Sequence, residues 1–391
     1  MDPRTNPYAP GAGTPPPELA GRDELIENTA IALDRIRSGR PARSFAFYGL
    51  RGVGKTVLLG RIRLDAEARG FLAPALEAPE DRSLPALLAP PLRSTLLKLN
   101  RMAAAGAAAK RAWHALAGFI SAVRVSYNDV EVNVDASAFP GIADSGDFEA
   151  DLAELLVTVG EAAREAGTAV ILFVDELQYV PEAQLAALIM ALHRVNQRSL
   201  PVALVGAGLP QLLGQMGRAK SYAERMFRFI EVGSLEHDAA TEALVVPARE
   251  EGVEFEPAAI DEVLRATAGY PYFLQEWGKH CWDVAVTSPI RYQDAVDAGE
   301  LALAELDASF FRVRFDRLTP GEKDYVRAMA ALGPGSHRSG DIAAQLRIKV
   351  TTAAPRRAAL IGKGMIYSPA HGDTAFTVPL FDAFVRRISP D

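Results

Sequence analysis

The chain has 391 residues, 49% of them apolar and 23% charged, with a net charge of −7 and a single cysteine, Cys281. That length exceeds one compact core and predicts two or three domains, and the composition is that of a soluble globular protein. One cysteine excludes an intrachain disulfide framework or a cysteine-cluster metal site, no apolar run approaches the ~20 residues that span a bilayer, and the net negative charge argues against wholesale coating of nucleic acid.

The N-terminus reads as neither signal nor transit peptide, so a cytoplasmic protein is expected. Residues 1–20 are rich in proline and glycine and predict an extended arm, either a disordered leader or one whose Asn6, Pro7 and Tyr8 fold over a bound base. From Gly21 an amphipathic helix with Leu25, Ile26, Ile31, Leu33 and Ile36 runs to about Ser38. Ser44–Tyr48 is a short strand-type run that stops at Gly49, from which Gly-x-x-x-x-Gly-Lys-Thr extends to Thr56 and leads into the helical pattern VLLGRIRLDAEA. This is a P-loop in its required context. Gly49, Gly52 and Gly54 let the backbone bring successive N–H groups onto a phosphate, and the following helix adds the positive end of its dipole. Lys55 is then expected between the β- and γ-phosphates, the Thr56 hydroxyl on Mg²⁺, and Val53 and Val57 against the nucleotide.

Phe71–Leu76 reads as a second strand. Residues 80–145 read as an insertion, with helices over Leu92–Met102 and Ala107–Ala117, interruptions at Pro85, Pro90 and Pro91, and a β-hairpin at Phe119–Asp135 about Tyr127-Asn128-Asp129, a candidate surface for a protein partner. Asp144–Asp147 caps a helix that runs to Ala166. Next, Ala169–Val174 is an unbroken apolar run ending on Asp175 and Glu176. Absence of alternation marks a strand buried on both faces of a parallel sheet, and ligands bind at the carboxyl ends of such strands. Asp175 is expected to hold Mg²⁺ opposite Thr56, and Glu176 to accept a proton from attacking water. A helix over Pro181–Val195, a strand over Leu200–Val205 ending at Gly206-Ala207-Gly208, and a strand-like Phe229–Val232 follow. Arg225 and Arg228 just before the last are either arginine fingers for a neighbouring subunit or a solvated helical face.

Glu236–Thr287 is helical by periodicity and contains Gly269-Tyr270-Pro271 among aromatics. That motif is either a helix–helix corner or a means of setting Pro271 against a base. The histidines show no pairing with Cys281 or an acid at ligand spacing, so no transition-metal site is expected. A long helix beyond Asp294 leads into Arg312–Phe315. The last module opens at Thr319-Pro320, continues with short helices over Ser339–Leu346 and Thr351–Ile361, and ends in strands at Met365–Ser368 and Ala375–Val378. Three helices and a hairpin predict a winged helix-turn-helix, with Lys349, Arg356 and Arg357 as candidate DNA contacts. From Arg317 to Asp391, eleven Lys/Arg face six Asp/Glu, a basic module on an acidic body.

On the strength of Gly49–Thr56, Val170–Glu176 and Gly269–Pro271, the chain resembles ATPases of the AAA+ and STAND assemblage, close to the archaeal ATPase group and the origin-recognition ATPases. It also resembles bacterial ATP-binding proteins sharing the stretches SGDFEADL, GYPYFLQ and KGMIYSPAHGD. The resemblance implies an α/β architecture: a P-loop parallel sheet of five strands flanked by helices (21–235), a helical lid (236–316) and a winged helix (317–391). ATP between core and lid would set their relative angle. Two departures stand out. Gly206-Ala207-Gly208 occupies the place of a polar sensor, which implies low turnover, and Gly269-Tyr270-Pro271 occupies the region of a lid arginine, which points to the STAND side. The expected function is a slow ATPase switch that moves a DNA-contacting winged helix. The alternative is a signalling scaffold whose winged helix is structural or binds protein.

Overall fold

A computed structural model describes residues 1–11, 13, 16, 18–79, 83–102, 106–123 and 143–389, with the backbone alone for 122 and 123. The chain divides into two compact units, one comprising Asp23–Tyr48 and Leu58–Glu231, the other Met1–Arg22, Gly49–Val57 and Val232–Asp391. We call them the sheet unit and the helical unit.

In chain order the first elements are α1 (Asp23–Arg37), β1 (Ser44–Tyr48), α2 (Lys55–Ala68), β2 (Ala75–Glu77), α3 (Leu84–Arg101), α4 (Gly106–Val123) and α5 (Phe148–Glu165). There follow β3 (Val170–Asp175), α6 (Glu182–Gln197), β4 (Val202–Gly208), α7 (Leu212–Ala219), α8 (Ala223–Met226) and β5 (Phe227–Glu231). The five strands are parallel, in the order β2-β3-β4-β1-β5. Every residue of β3 and β4 is buried, as their unbroken apolar sequences require when helices cover both faces. The Asp147 carboxylate accepts the N–H groups of Glu149 and Ala150 and so starts α5 where the capping pattern placed it.

Three expectations change here. α3 runs through Pro90 and Pro91, where a break was expected. Its leucines at 84, 88, 92, 96 and 99 are all fully buried. Burying that stripe, at roughly 1.5–3 kcal/mol per side chain, outweighs a cost of about 3 kcal/mol per interior proline. α4 extends to Val123, so Phe119, assigned to a hairpin by its alternation, is helical and fully buried. The remainder of that hairpin lies outside the described residues. β4 also runs beyond Val205, through Gly206 and Ala207 to end at Gly208.

The helical unit continues with α9 (His237–Glu250), α10 (Pro257–Thr267), α11 (Pro271–Val284) and α12 (Tyr292–Leu306), a π-helical turn at Asp307–Phe311, and α13 (Arg312–Asp316). The π turn interrupts the predicted long helix and lets two successive phenylalanines find rings. Phe310 stacks on Tyr272 with centroids 4.7 Å apart, and Phe311 stacks on Phe384 at 5.4 Å. Then come α14 (Pro320–Ala331), β6 (His337–Arg338), α15 (Ser339–Gln345), α16 (Val350–Gly362), β7 (Ile366–Tyr367), β8 (Asp373–Phe376) and α17 (Phe381–Ile388), with the strands in antiparallel order β6-β8-β7. The helices and hairpin match the sequence pattern, while β6 and α17 were not anticipated. Thr319 and Glu322 form a capping box at the start of α14.

The N-terminal arm is tied down. It opens with a 3₁₀ turn at Pro3–Thr5, Trp282 Nε1 donates to the Asp2 carbonyl at 2.9 Å, and Asn6 Nδ2 donates to the Lys279 carbonyl at 3.1 Å. Among the described residues no helix is long and apolar enough to cross a membrane.

Gly206 shows how tightly the sheet unit is packed, because a Cβ there would meet Leu177 Cδ1 at 2.1 Å and Leu204 Cδ2 at 3.0 Å. Gly206→Ala should lower stability by about 1–3 kcal/mol, read as a shifted denaturant midpoint. Adding Leu177→Ala should restore part of the loss.

Candidate functional site

In the sheet unit, Val174 of β3 and Ala46 of β1 both stand level with Gly206 of β4. The carboxyl ends of the three strands therefore share one edge of the sheet. Asp175 closes β3 at 8% exposure, and its Oδ1 accepts the N–H of Glu176 at 2.8 Å. Glu176 adopts a left-handed backbone, φ 53° and ψ 37°, which costs a non-glycine residue roughly 1–2 kcal/mol. Its carboxylate accepts a hydrogen bond from Gln178 Nε2. Gln178 is buried, its Oε1 accepts the Leu209 N–H at 2.9 Å, and its carbonyl accepts from Gln215 Nε2 at 3.0 Å. A Cβ on Gly208 would lie 2.7 Å from Gln178 Oε1. The end of β4 thus has no polar side chain of its own and receives the Gln178 amide instead. Sequence reading missed Gln178, since a glutamine two places after an acid carries no signal.

In the helical unit, Gly52 and Gly54 have φ of +85° and +88°, and a Cβ on Gly49 would fall 2.1 Å from the Val232 carbonyl oxygen. These positions need glycine. Four successive loop carbonyls have identified donors. Lys55 Nζ donates to Gly49 at 2.9 Å and to Leu50 at 2.7 Å, the Tyr270 hydroxyl donates to Arg51, and the Tyr272 N–H donates to Gly52 at 3.2 Å. Arg51 also reaches the C-terminal hairpin, its N–H donating to the Thr377 carbonyl at 3.1 Å and its Nε to the Gly364 carbonyl at 3.3 Å. Burial pushes the Tyr270 phenol well above its ordinary value. Burial, and then the neighbouring Arg51 guanidinium, pull Arg314 down to about 10. Arg314 lies 3.8 Å over the Phe310 ring. Left-handed glycines, the start of α2 and a lysine at 8% exposure fit a phosphate. Thr56 in the helical unit and, separately, Asp175 in the sheet unit each carry an oxygen donor of the hard kind that Mg²⁺ takes.

Tyr8 is 5% exposed, its hydroxyl donates to the Leu244 carbonyl, and its ring fills the space beside Gly278. It belongs to the core of the helical unit rather than to a surface open to a base. Pro271 is half-buried as the first residue of α11, after Gly269 at φ +66°. Val53 is buried and Val57 half-buried. Arg225 lines a cleft with Arg40, Arg43, His193 and Asn196, at the amino edge of the sheet. Arg228 sits on β5 opposite Phe45. With β4 and β1 between β5 and β3, it lies roughly 14 Å across the sheet from β3. In the last module Arg357 is held by its own hairpin, through Thr374 Oγ1 at 2.9 Å, Ser368 Oγ at 2.9 Å and the Asp373 carbonyl at 3.1 Å. The Arg356 Nε lies 3.2 Å from where a Gly321 Cβ would stand. Lys349 and Arg347 are exposed at the α15–α16 turn, and Arg338 is exposed just before α15. The last two were not singled out from the sequence.

Residues 18–205 match the family described as an AAA ATPase domain, and this part of the chain is an AAA+ P-loop ATPase domain. Residues 308–385 match a domain of unknown function. Among solved structures, a Walker-type ATPase of Pyrococcus abyssi is similar at 16% identity over 94% of this chain and 96% of its own, with a TM-score of 0.58. The Aeropyrum pernix ORC1 protein in complex with DNA is similar at 16% identity over 95% and 94%, with a TM-score of 0.48. The Thermotoga maritima RuvB Holliday junction branch migration motor is similar at 14% identity over 97% and 100%, with a TM-score of 0.46. No curated protein matches the sequence. The Pyrococcus likeness bears on the fold alone and agrees with the parallel sheet.

The Tyr270 hydroxyl is the donor for the Arg51 carbonyl. Tyr270→Phe should cost about 1 kcal/mol of stability and speed amide hydrogen exchange across Gly52–Lys55, measured by mass spectrometry.

Proposed function

We propose that the chain is an ATP-binding, slowly hydrolysing switch acting in the cytoplasm, and that the nucleotide state of its P-loop repositions the C-terminal module. The observation that carries this reading is the double attachment of one loop. Arg51 and Gly52 hydrogen-bond to the first residues of α11 and, through Arg51, to the hairpin that ends at Thr377. A loop that reshapes around a triphosphate would pull on both.

In this reading the N–H groups of Gly49–Val57, Lys55 among them, bind the phosphates, and Pro271 meets the base. Thr56 and Asp175 hold Mg²⁺, which supplies charge neutralisation at the β- and γ-phosphates. Glu176 accepts the proton of the attacking water, and Gln178 orients its carboxylate. Turnover is slow because the end of β4 offers no polar side chain and the Glu176 carboxylate is already engaged. Arg225 and Arg228 act only in trans, on a neighbouring copy. Lys55→Ala should weaken ATP binding about tenfold to a hundredfold. Glu176→Gln should leave binding intact and slow phosphate release roughly 10²–10⁴-fold. Parental turnover in Glu176→Gln would remove that residue from the base role.

The C-terminal module contacts duplex DNA in the leading reading, through Lys349 with Arg356 and Arg357. The tethering of Arg357 to Thr374, Ser368 and Asp373 favours a second reading, a scaffold in which this module is structural or binds protein. With ATP present at low salt, phosphate contact predicts an affinity that falls steeply with ionic strength and falls again in Lys349→Ala and Arg356→Ala. Fluorescence anisotropy showing no binding under those conditions selects the scaffold.

A further inference from the structure

The helical unit contains a cluster of metal-ligating groups remote in sequence from the P-loop. Glu276 and His280 stand one turn apart on α11, and Glu305 reaches them from the last turn of α12. The expectation that no histidine pairs with an acid at ligand spacing does not hold. One ligand atom from each residue lies within 4.8 Å of the other two. Donors held at ~2.0–2.2 Å from a tetrahedral ion stand roughly 3.4 Å apart, so small side-chain rotations close the set.

One buried carboxylate oxygen here lacks a hydrogen-bond partner. Glu276 is 4% exposed, one of its oxygens is accounted for by the Tyr272 hydroxyl, and Oε2 has no partner. His280 Nε2, also buried, lies 3.0 Å from Glu305 Oε2. At 3.0 Å the His280 ring and the Glu305 carboxylate can already pair with each other, so Glu276 Oε2 is the orphan that calls for a cation. Buried polar groups in native proteins are nearly always satisfied, and a cation among these three residues satisfies the Glu276 oxygen. Lys279 Nζ lies 3.0 and 3.1 Å from the Glu305 oxygens, and the Tyr272 hydroxyl backs Glu276, so two of the ligands already have outer partners of the kind that orient metal ligands. Glu305 is exposed, which leaves a path of entry.

We infer that Glu276, His280 and Glu305 form a binding site for a divalent transition-metal ion of the Zn²⁺ type, with a fourth position open to water. One imidazole and two carboxylates select such an ion over Mg²⁺, which prefers all-oxygen octahedral shells. The ion cross-links α11 to α12. It also braces Tyr272, whose N–H holds the Gly52 carbonyl. All three ligands belong to the helical unit, so the inference stands or falls independently of the hydrolysis reading.

The test uses the full chain, stripped of metal and free of nucleotide, titrated with Zn²⁺ against a chromophoric chelator and separately with Co²⁺ while the visible spectrum is followed. A single Zn²⁺ per chain, not displaced by millimolar Mg²⁺, and a visible Co²⁺ band are expected. Both should be lost in His280→Ala, and affinity should drop about tenfold or more in Glu305→Gln. His280→Asn with parental circular dichroism serves if the alanine variant does not fold. Zn²⁺ binding in the His280 variants equal to that of the parent, or no Co²⁺ band in the parent, overturns the site and leaves Lys279, His280 and Glu305 as an ion-pair network.

Discussion

A phosphate-binding loop turns its N–H groups inward, so its carbonyls point away and must find donors elsewhere. Here four successive carbonyls, from Gly49 to Gly52, are met by the Lys55 ammonium, the Tyr270 phenol and the Tyr272 amide. The loop's shape is therefore dictated by α11 as well as by its own glycines. Gly269, Tyr270 and Pro271 follow from this requirement. The left-handed glycine turns the chain, the proline fixes the first residue of the helix, and the tyrosine between them reaches the loop. The motif is at once a helix corner and a clamp.

A second constraint acts at the carboxyl edge of the sheet. Gly206 and Gly208 leave the space that Leu177 and Gln178 occupy, and the left-handed backbone at Glu176 turns the chain from β3 toward them. Strain at that residue is offset by packing on both sides, as is common where a side chain must be aimed rather than merely buried. Absence of a polar residue on β4 and presence of Gln178 beside it are two sides of one arrangement.

The C-terminal module shows how basic residues divide their roles. Arg357 joins α16 to the hairpin, and Arg51 of the P-loop takes the carbonyls of Gly364 and Thr377. Lys363 pairs with Glu322 at 2.7 Å, and Arg387 with Asp307 at 2.5 Å. Much of the positive charge that marks this module in the sequence is internal cement. Arg347 and Lys349 are exposed at the turn between α15 and α16.

Local pattern was enough to read β1, the P-loop, β3 with its terminal acids, the α11 corner and the helices and hairpin of the last module. Glycine spacing, unbroken apolar runs and capping residues act within a few positions of themselves and need no partner to be recognised. The persistence of α3 through two prolines, the helical state of Phe119 and the burial of Tyr8 depend on what each side chain packs against, and alternation or breakers cannot report that. Gln178 beside Gly208, Tyr270 on Arg51, and Glu305 beside Glu276 and His280 join residues far apart in the chain or unmarked by spacing. Such pairings exist only once the backbone has closed, because distance in space, rather than order along the polymer, sets the strength of a hydrogen bond or a metal–ligand bond.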